Sequence, residues 1–327
     1  MSRNKTIIGC LVAALLLISH STIAAKESAR AQVQSFRVLI LSTMLANDGI
    51  GEWGFSALVE VDGHRFLFDT GQYSDTVLRN ARELGVDLSD ITDVILSHHH
   101  GDHTGGLLAL RHEFSKNNET AMSRVHVAKG IFDSRRSSSD PDAEANSFVE
   151  KKATYEATGG VFIEHDRPAE LIPGVWVTGP VVRVHPERNW SGNRKIKTPE
   201  GWVEDTIPDS QSLVVNTAKG LVILSGCGHA GIINTIEYAR GIVVDNPPYA
   251  VLGGFHLLSA SDEHFQWTAE KLNEFGVTQF FGAHCTGIEA VFQIRDRAGL
   301  TRKSCVVGAV GASFDLEKGI DPRYIAR

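Results

Sequence analysis

The stretch His98-His99-His100-Gly101-Asp102-His103 sets imidazoles and a carboxylate side by side immediately after a strand-like run, Val94-Ile95-Leu96-Ser97. Side chains two apart on an extended chain share a side, so His98 and His100 point together and His99 points away. Gly101 lets the backbone turn and returns Asp102 and His103 toward the first pair. The resulting H-x-H-x-D-H array offers neutral nitrogen and hard oxygen donors. That mixture suits zinc, as one or two ions, with manganese, iron or magnesium as other occupants. Asp102 is also a candidate for orienting or deprotonating a water as well as binding metal. His99 reads as an ordinary solvated loop residue.

Hydrophobic patterning supplies the elements that must hold these groups. Phe55 to Val61 reads as a strand, Asp62-Gly63 as a hairpin turn, and His64 to Phe68 as the partner strand, ending at Asp69-Thr70-Gly71. From Ser74 to Leu84 a helical period places Val77, Leu78, Ala81 and Leu84 on one face. The strand from Val94, the histidine loop and a helix from Leu107 complete the first half. The second half repeats the order, with strands from Ser212 to Asn216 and from Leu221 to Leu224 about a turn at Lys219-Gly220. Gly226-Cys227-Gly228-His229 and a helix from Ile232 to Ala239 follow. Then come a strand from Tyr249 to Leu252, a helix from Asp262 to Phe275, a strand from Val277 to Phe281, and the loop His284-Cys285-Thr286-Gly287.

Histidines follow strands in both halves, which predicts an α/β (α+β) fold of two αβ layers related by a pseudo-twofold, their strand ends converging on a shared cleft. Residues 117–204 are rich in Ser, Gly and Arg, with only short β-like runs from Val161 to Ile163 and from Val175 to Thr178. They read as an insertion lying over the cleft. Trp190, Trp202, Arg188 and Arg194 are its candidate ligand contacts.

At the N-terminus, Arg3 and Lys5 precede an apolar run from Ile7 to Ile18 and then small residues through Ala25, the pattern of a secretory signal peptide over residues 1–24. The run is too short for a comfortable membrane span, and Cys10 precedes the apolar core instead of following it, which argues against lipidation. The expectation is a secreted or periplasmic chain with no stable membrane anchor, about 300 residues folding as one domain over 25–327. Cys227, Cys285 and Cys305 then remain, an odd number that excludes a disulfide scaffold; Cys285 and Cys305 read as small buried apolar residues. With 32 Lys and Arg against 39 Asp and Glu, a formal charge of −7 and no basic stripe, nothing points to a nucleic-acid partner. A small-molecule substrate is expected.

Taken together, Phe68-Asp69-Thr70-Gly71, His98-x-His100-x-Asp102-His103-Thr104-Gly105-Gly106, the Gly-x-Gly-His ending at His229, and His284 resemble the metallo-β-lactamase-fold superfamily of metal-dependent hydrolases. The resemblance covers Phe36 to Phe314. Glu52-Trp53-Gly54-Phe55-Ser56, Leu224-Ser225-Gly226-Cys227-Gly228-His229, Gly253-Gly254-Phe255-His256-Leu257 and His284-Cys285-Thr286-Gly287 are similar to the branch that includes dihydropterin-aminobenzene-phosphate synthases. The superfamily implies a four-layer αββα sandwich with a one- or two-metal site at the edge of the β layers.

Carried over by motif, His98, His100 and His229 resemble the ligands of one metal and Asp102, His103 and His284 those of another. Asp69 resembles a carboxylate that orients a ligand histidine from behind. In one respect the chain departs from the pattern. Many two-metal members carry a bridging aspartate where Cys227 stands here, so either Cys227 bridges or caps a metal as thiolate, or the site holds one tight and one weak metal. A histidine that other members place before this strand is also absent; Asp205 and Asp209 occupy that segment and read as surface turn residues. His256 is a candidate for lining the pocket.

The function expected is hydrolysis of a small ester, lactone, amide or phosphoester by metal-activated water. Two alternatives stand beside it. One is a transferase like the dihydropterin-type synthases, against which the signal peptide weighs because a pterin diphosphate pathway belongs in the cytoplasm. The other is a metal-containing binding protein without chemistry, which the missing bridge leaves open.

Overall fold

The computed structural model describes residues 31–243 and 246–326. The signal segment expected at residues 1–24, with Cys10, lies outside the described residues.

Strand alternation builds two large sheets. In Gly220–Ser225, Val222 and Leu224 face one way and Leu221 and Ile223 the other. In Phe36–Ser42, Phe36, Val38 and Ile40 oppose Leu39 and Leu41. One set from each sheet meets the other sheet in a shared core that includes Phe55, Phe68, Leu213, Val215, Phe281 and Phe314. The opposite sets meet helices. Ile232–Ile242, Asp262–Phe275 and Ile288–Arg297 cover one sheet, and Thr76–Glu83, Leu107–Ser115 and Ser147–Glu156 cover the other. The product is the expected αββα sandwich.

The first sheet has eight strands in the spatial order Gly319–Asp321, Ser313–Asp315, Phe36–Ser42, Ser56–Val61, His64–Phe68, Asp93–Ile95, Arg124–Ala128 and Val161–His165. The second has seven: Cys305–Val307, Gln279–Gly282, Pro248–Gly253, Gly220–Ser225, Ser212–Thr217, Val175–Val177 and Ala169–Ile172. The repeated order read in the sequence is visible in both. Each sheet contains an antiparallel hairpin, Ser56–Phe68 or Ser212–Ser225, whose second strand begins a parallel run. Asp62 and Gly63 both take positive φ, +46° and +81°, which is the turn a two-residue hairpin requires. In open parallel sheets ligands gather beyond the carboxyl ends of the strands. Asp69, residues 98–103, residues 227–229, His256 and His284 all follow such ends.

Residues 117–204 are not an insertion as a whole. They contribute Arg124–Ala128 and Val161–His165 to the first sheet, Ala169–Ile172 and Val175–Val177 to the second, and the helix Ser147–Glu156. What is added to the sandwich is a small sheet of Gly201–Glu204, Arg194–Thr198 and Arg135–Ser137. Short, mostly half-buried strands such as Ala169–Ile172 lack the two-residue alternation that marks a strand in sequence.

Phe281 lies almost wholly buried where the two sheets meet. Phe281→Ala should therefore remove about 3–5 kcal/mol of stability by opening a cavity in the shared core. Denaturant unfolding would show it, and a loss below about 1 kcal/mol would mean that the layers do not pack through this residue.

Candidate metal centre

Asp69 organises the site. Its side chain is fully buried and its backbone is held at φ +56°, an uncommon conformation for a residue with a Cβ. One carboxylate oxygen accepts from the Ser97 amide at 2.7 Å. The other accepts from Ser97 Oγ at 2.7 Å and faces His103 Nδ1 at 2.7 Å. Ser97 Oγ lies 3.0 Å from His98 Nδ1. A single carboxylate thus fixes two histidine rings, one directly and one through a hydroxyl. Gly226 makes room for this arrangement, since a Cβ there would sit 2.2 Å from both Asp69 Oδ2 and Ser97 Oγ.

His98, His100 and His229 each present a ring nitrogen to one point, and the three atoms lie within 4.8 Å of one another. His229 is turned by its Nδ1, 2.5 Å from the Asn189 carbonyl, and among the described residues the buried Nε2 atoms of His98 and His229 have no hydrogen-bond partner. The rings of His98 and His229 therefore each have one nitrogen tied back and the other aimed inward, the arrangement ligand histidines adopt. Burial first, then the neighbouring imidazoles, hold all three well below the usual histidine range, so their lone pairs are available.

Asp102, His103 and His284 form a second group within the same span. His284 Nε2 lies 3.3 Å from Asp102 Oδ2 and 3.3 Å from His103 Nε2. Burial works against charge on both His103 and Asp102, but proximity overrides it. Asp69, then Asp102, raise His103 to about 9, while His103 and His284 hold Asp102 below the usual carboxylate range. Positive charge is favoured here. With two inward lone pairs lacking a partner among the described residues and a carboxylate beside them, the donor set fits divalent cations. Both groups border a cavity of about 770 Å³, lined among others by Trp53, Tyr73, His100, Asp102, Trp190 and Arg194.

His99 departs from expectation. It is buried, and both its amide and its Nδ1 lie 2.9 Å from Asp209 Oδ2. Asp205 and Asp209 are not surface turn residues either: Arg135, itself fully buried, pairs with Asp209 at 2.5 Å and Asp205 at 3.0 Å. This network clamps the small sheet to the histidine loop. Among the expected contacts from residues 117–204, Trp190 and Arg194 reach the cavity. Trp202 instead lies under Arg136 and Arg188 pairs with Glu204, so neither lines it. His256 lines the cavity and Cys227 sits beside it. Arg135, Ser97 and Asn189 are contributors that the sequence did not announce; Arg135 and Asn189 sit in polar stretches without periodicity, and Ser97 ends an apolar run with no sign of the carboxylate it meets.

The model of the metallo-beta-lactamase superfamily matches residues 54–244, and the chain belongs to that superfamily. It is 32% identical over 249 residues to the 7,8-dihydropterin-6-methyl-4-(beta-D-ribofuranosyl)-aminobenzene-5'-phosphate synthase of Methanocaldococcus jannaschii, covering 72% of this chain and 82% of that one. The crystal structure of Tm1679, a metal-dependent hydrolase of the beta-lactamase superfamily, superposes with a TM-score of 0.68 at 31% identity over 85% of this chain and 98% of that one. YhfI of Bacillus subtilis, a metallo-beta-lactamase fold protein, shares the fold alone, with a TM-score of 0.52 at 11% identity over 86% and 100% of the two chains.

Two outcomes follow from this geometry. Asp69→Ala should weaken metal affinity by roughly 10–100-fold while leaving every proposed ligand in place, measured by competition with a chromophoric chelator; unchanged affinity would show that the carboxylate does not orient the rings. Arg135→Met should lose about 3–5 kcal/mol in denaturant unfolding because two buried carboxylates lose their partner. A neutral result would mean that those carboxylates are protonated or solvated.

Proposed function

We propose that the protein is a metal-dependent hydrolase of a small ester, lactone, amide or phosphoester. In this reading His98, His100 and His229 hold one divalent cation and Asp102, His103 and His284 a second. The observation that carries it is the convergence of two donor groups, with unpartnered Nε2 atoms on His98 and His229, at the wall of a cavity large enough for a small-molecule substrate. Held by these residues, a zinc-type cation would supply a bound water whose pKa falls toward about 7 and a Lewis acid for the acyl or phosphoryl oxygen.

The chain's own residues supply the rest. Asp102, half-buried at the cavity and kept ionised by His103 and His284, accepts a hydrogen bond or proton from the attacking water. Trp53, whose ring centroid lies 4.9 Å from that of His284, and Trp190 give the substrate apolar walls and limit water in the cleft. Glu52 is buried and accepts from the amides of Gln72 and Tyr73 at 3.0 Å each and from Ser42 Oγ at 2.6 Å. It thereby fixes the loop that carries the cavity wall.

A second reading, transfer from a diphosphate-activated donor, draws support from the similarity to the archaeal synthase. The apolar leader read at residues 1–24 supports a secreted or periplasmic location and weighs against a cytoplasmic pterin pathway.

His100→Ala should lose tight metal binding and fall to the turnover of metal-free protein on a panel of chromogenic esters, lactones and phosphoesters. Full turnover by the mutant, with elemental analysis showing no metal, would overturn the hydrolase reading. Incorporation of label from a diphosphate-activated donor into a condensed product would install the transferase in its place.

A further inference from the structure

Cys227 and Cys285 come from the ends of different strands, Gly220–Ser225 and Gln279–Gly282, yet their sulfurs lie 3.1 Å apart as free thiols, both buried. His256, from the end of a third strand, places Nδ1 3.4 Å from Cys227 Sγ, and its amide donates to Cys285 Sγ at 3.3 Å. The three donor atoms lie within 4.8 Å of one another, and Cys227 Sγ falls equally within reach of ring nitrogens of His98 and His103.

The backbone is strained to build this. His256 is held at φ +50° and the neighbouring His284 at φ +46°, a region that residues with a Cβ seldom adopt. Gly254 is needed for the approach, because a Cβ there would lie 2.0 Å from the Gly226 carbonyl and 3.1 Å from Cys285 Sγ. A pair of buried thiols serving only as apolar filler needs neither an imidazole between them and the cavity nor a strained residue to carry it.

We propose that Cys227, Cys285 and His256 form a separate site for a thiophilic cation, zinc or copper(I), contiguous with the histidine centre through the Cys227 sulfur. Two thiolates and a neutral imidazole match a soft or borderline ion, and His256 borders the cavity. Two thiolate charges cancel those of zinc(II), so that ion enters a buried place without leaving net charge there. On binding, each S–H proton is displaced and leaves through the cavity side. No electrons move. The amide of His256 then hydrogen-bonds to a metal-bound sulfur, the kind of outer donor that steadies a thiolate ligand.

The test needs no turnover, so it is independent of the hydrolase reading. Purified protein, stripped of metal and reduced with a phosphine, is titrated with cobalt(II) while absorbance is followed in the near-ultraviolet. The wild type should develop a thiolate-to-cobalt charge-transfer band that persists in His100→Ala and is lost or at least halved in Cys285→Ser. In wild-type protein, cadmium(II) should slow alkylation of Cys227 and Cys285 together, read by peptide mass spectrometry, while leaving Cys305 unchanged. This second measurement stands even where a cysteine variant does not fold. A band unaffected by Cys285→Ser would overturn the proposal and leave Cys227 as a lone cap on the histidine centre. Absence of both band and protection, or a Cys227–Cys285 disulfide whose reduction restores no thiolate-to-cobalt band, would overturn it as well.

Discussion

A carboxylate sealed from solvent governs this molecule. Asp69 is fully buried at the end of a strand, and a charge in such a place is tolerated only when both of its oxygens are engaged. The Ser97 amide, the Ser97 hydroxyl and His103 provide that engagement. Each of these partners is also part of the histidine loop. Satisfying Asp69 therefore sets the loop's position, and the orientation of His98 and His103 comes with it. The left-handed backbone at Asp69, the glycine at 226 and the serine at 97 are all conditions of one buried charge.

Around that constraint the fold works by convergence. Each large sheet ends a parallel run at the same edge, and consecutive strand ends deliver Asp69, the histidine loop, Cys227 with His229, His256, and His284. No one segment holds the centre. His98 and His229 come from different sheets, and the Arg135–Asp209–His99 network ties the small third sheet to the loop from the far side. The cavity is bounded by residues from all three sheets or their connections. Ligands set on strand ends with a cavity wall built from connections are how one architecture serves many reactions.

What the sequence made legible was local. The Asp62-Gly63 hairpin, the strand-then-histidine order and the helix from Asp262 to Phe275 all follow from spacing and turn chemistry. The strand Phe36–Ser42 did not announce itself, because it is covered by the second sheet on one face and helices on the other and so reads as a continuous apolar run. Residues 117–204 looked like an insertion since their strands are short and polar-flanked, although most of them complete the two sheets. The buried pairing of Arg135 with Asp209, 74 residues away, and of His99 with Asp209, 110 residues away, has no local signature at all. The meeting of Cys227 and Cys285, 58 residues apart, is likewise a property of the fold.

The central claim is that buried hydrogen bonding from Asp69 prearranges two donor groups for divalent cations. Crystals grown with zinc and measured on both sides of the zinc absorption edge test it most directly. The account predicts anomalous peaks among His98, His100 and His229 and among Asp102, His103 and His284. No peak in either group, or zinc only at surface side chains, would contradict it.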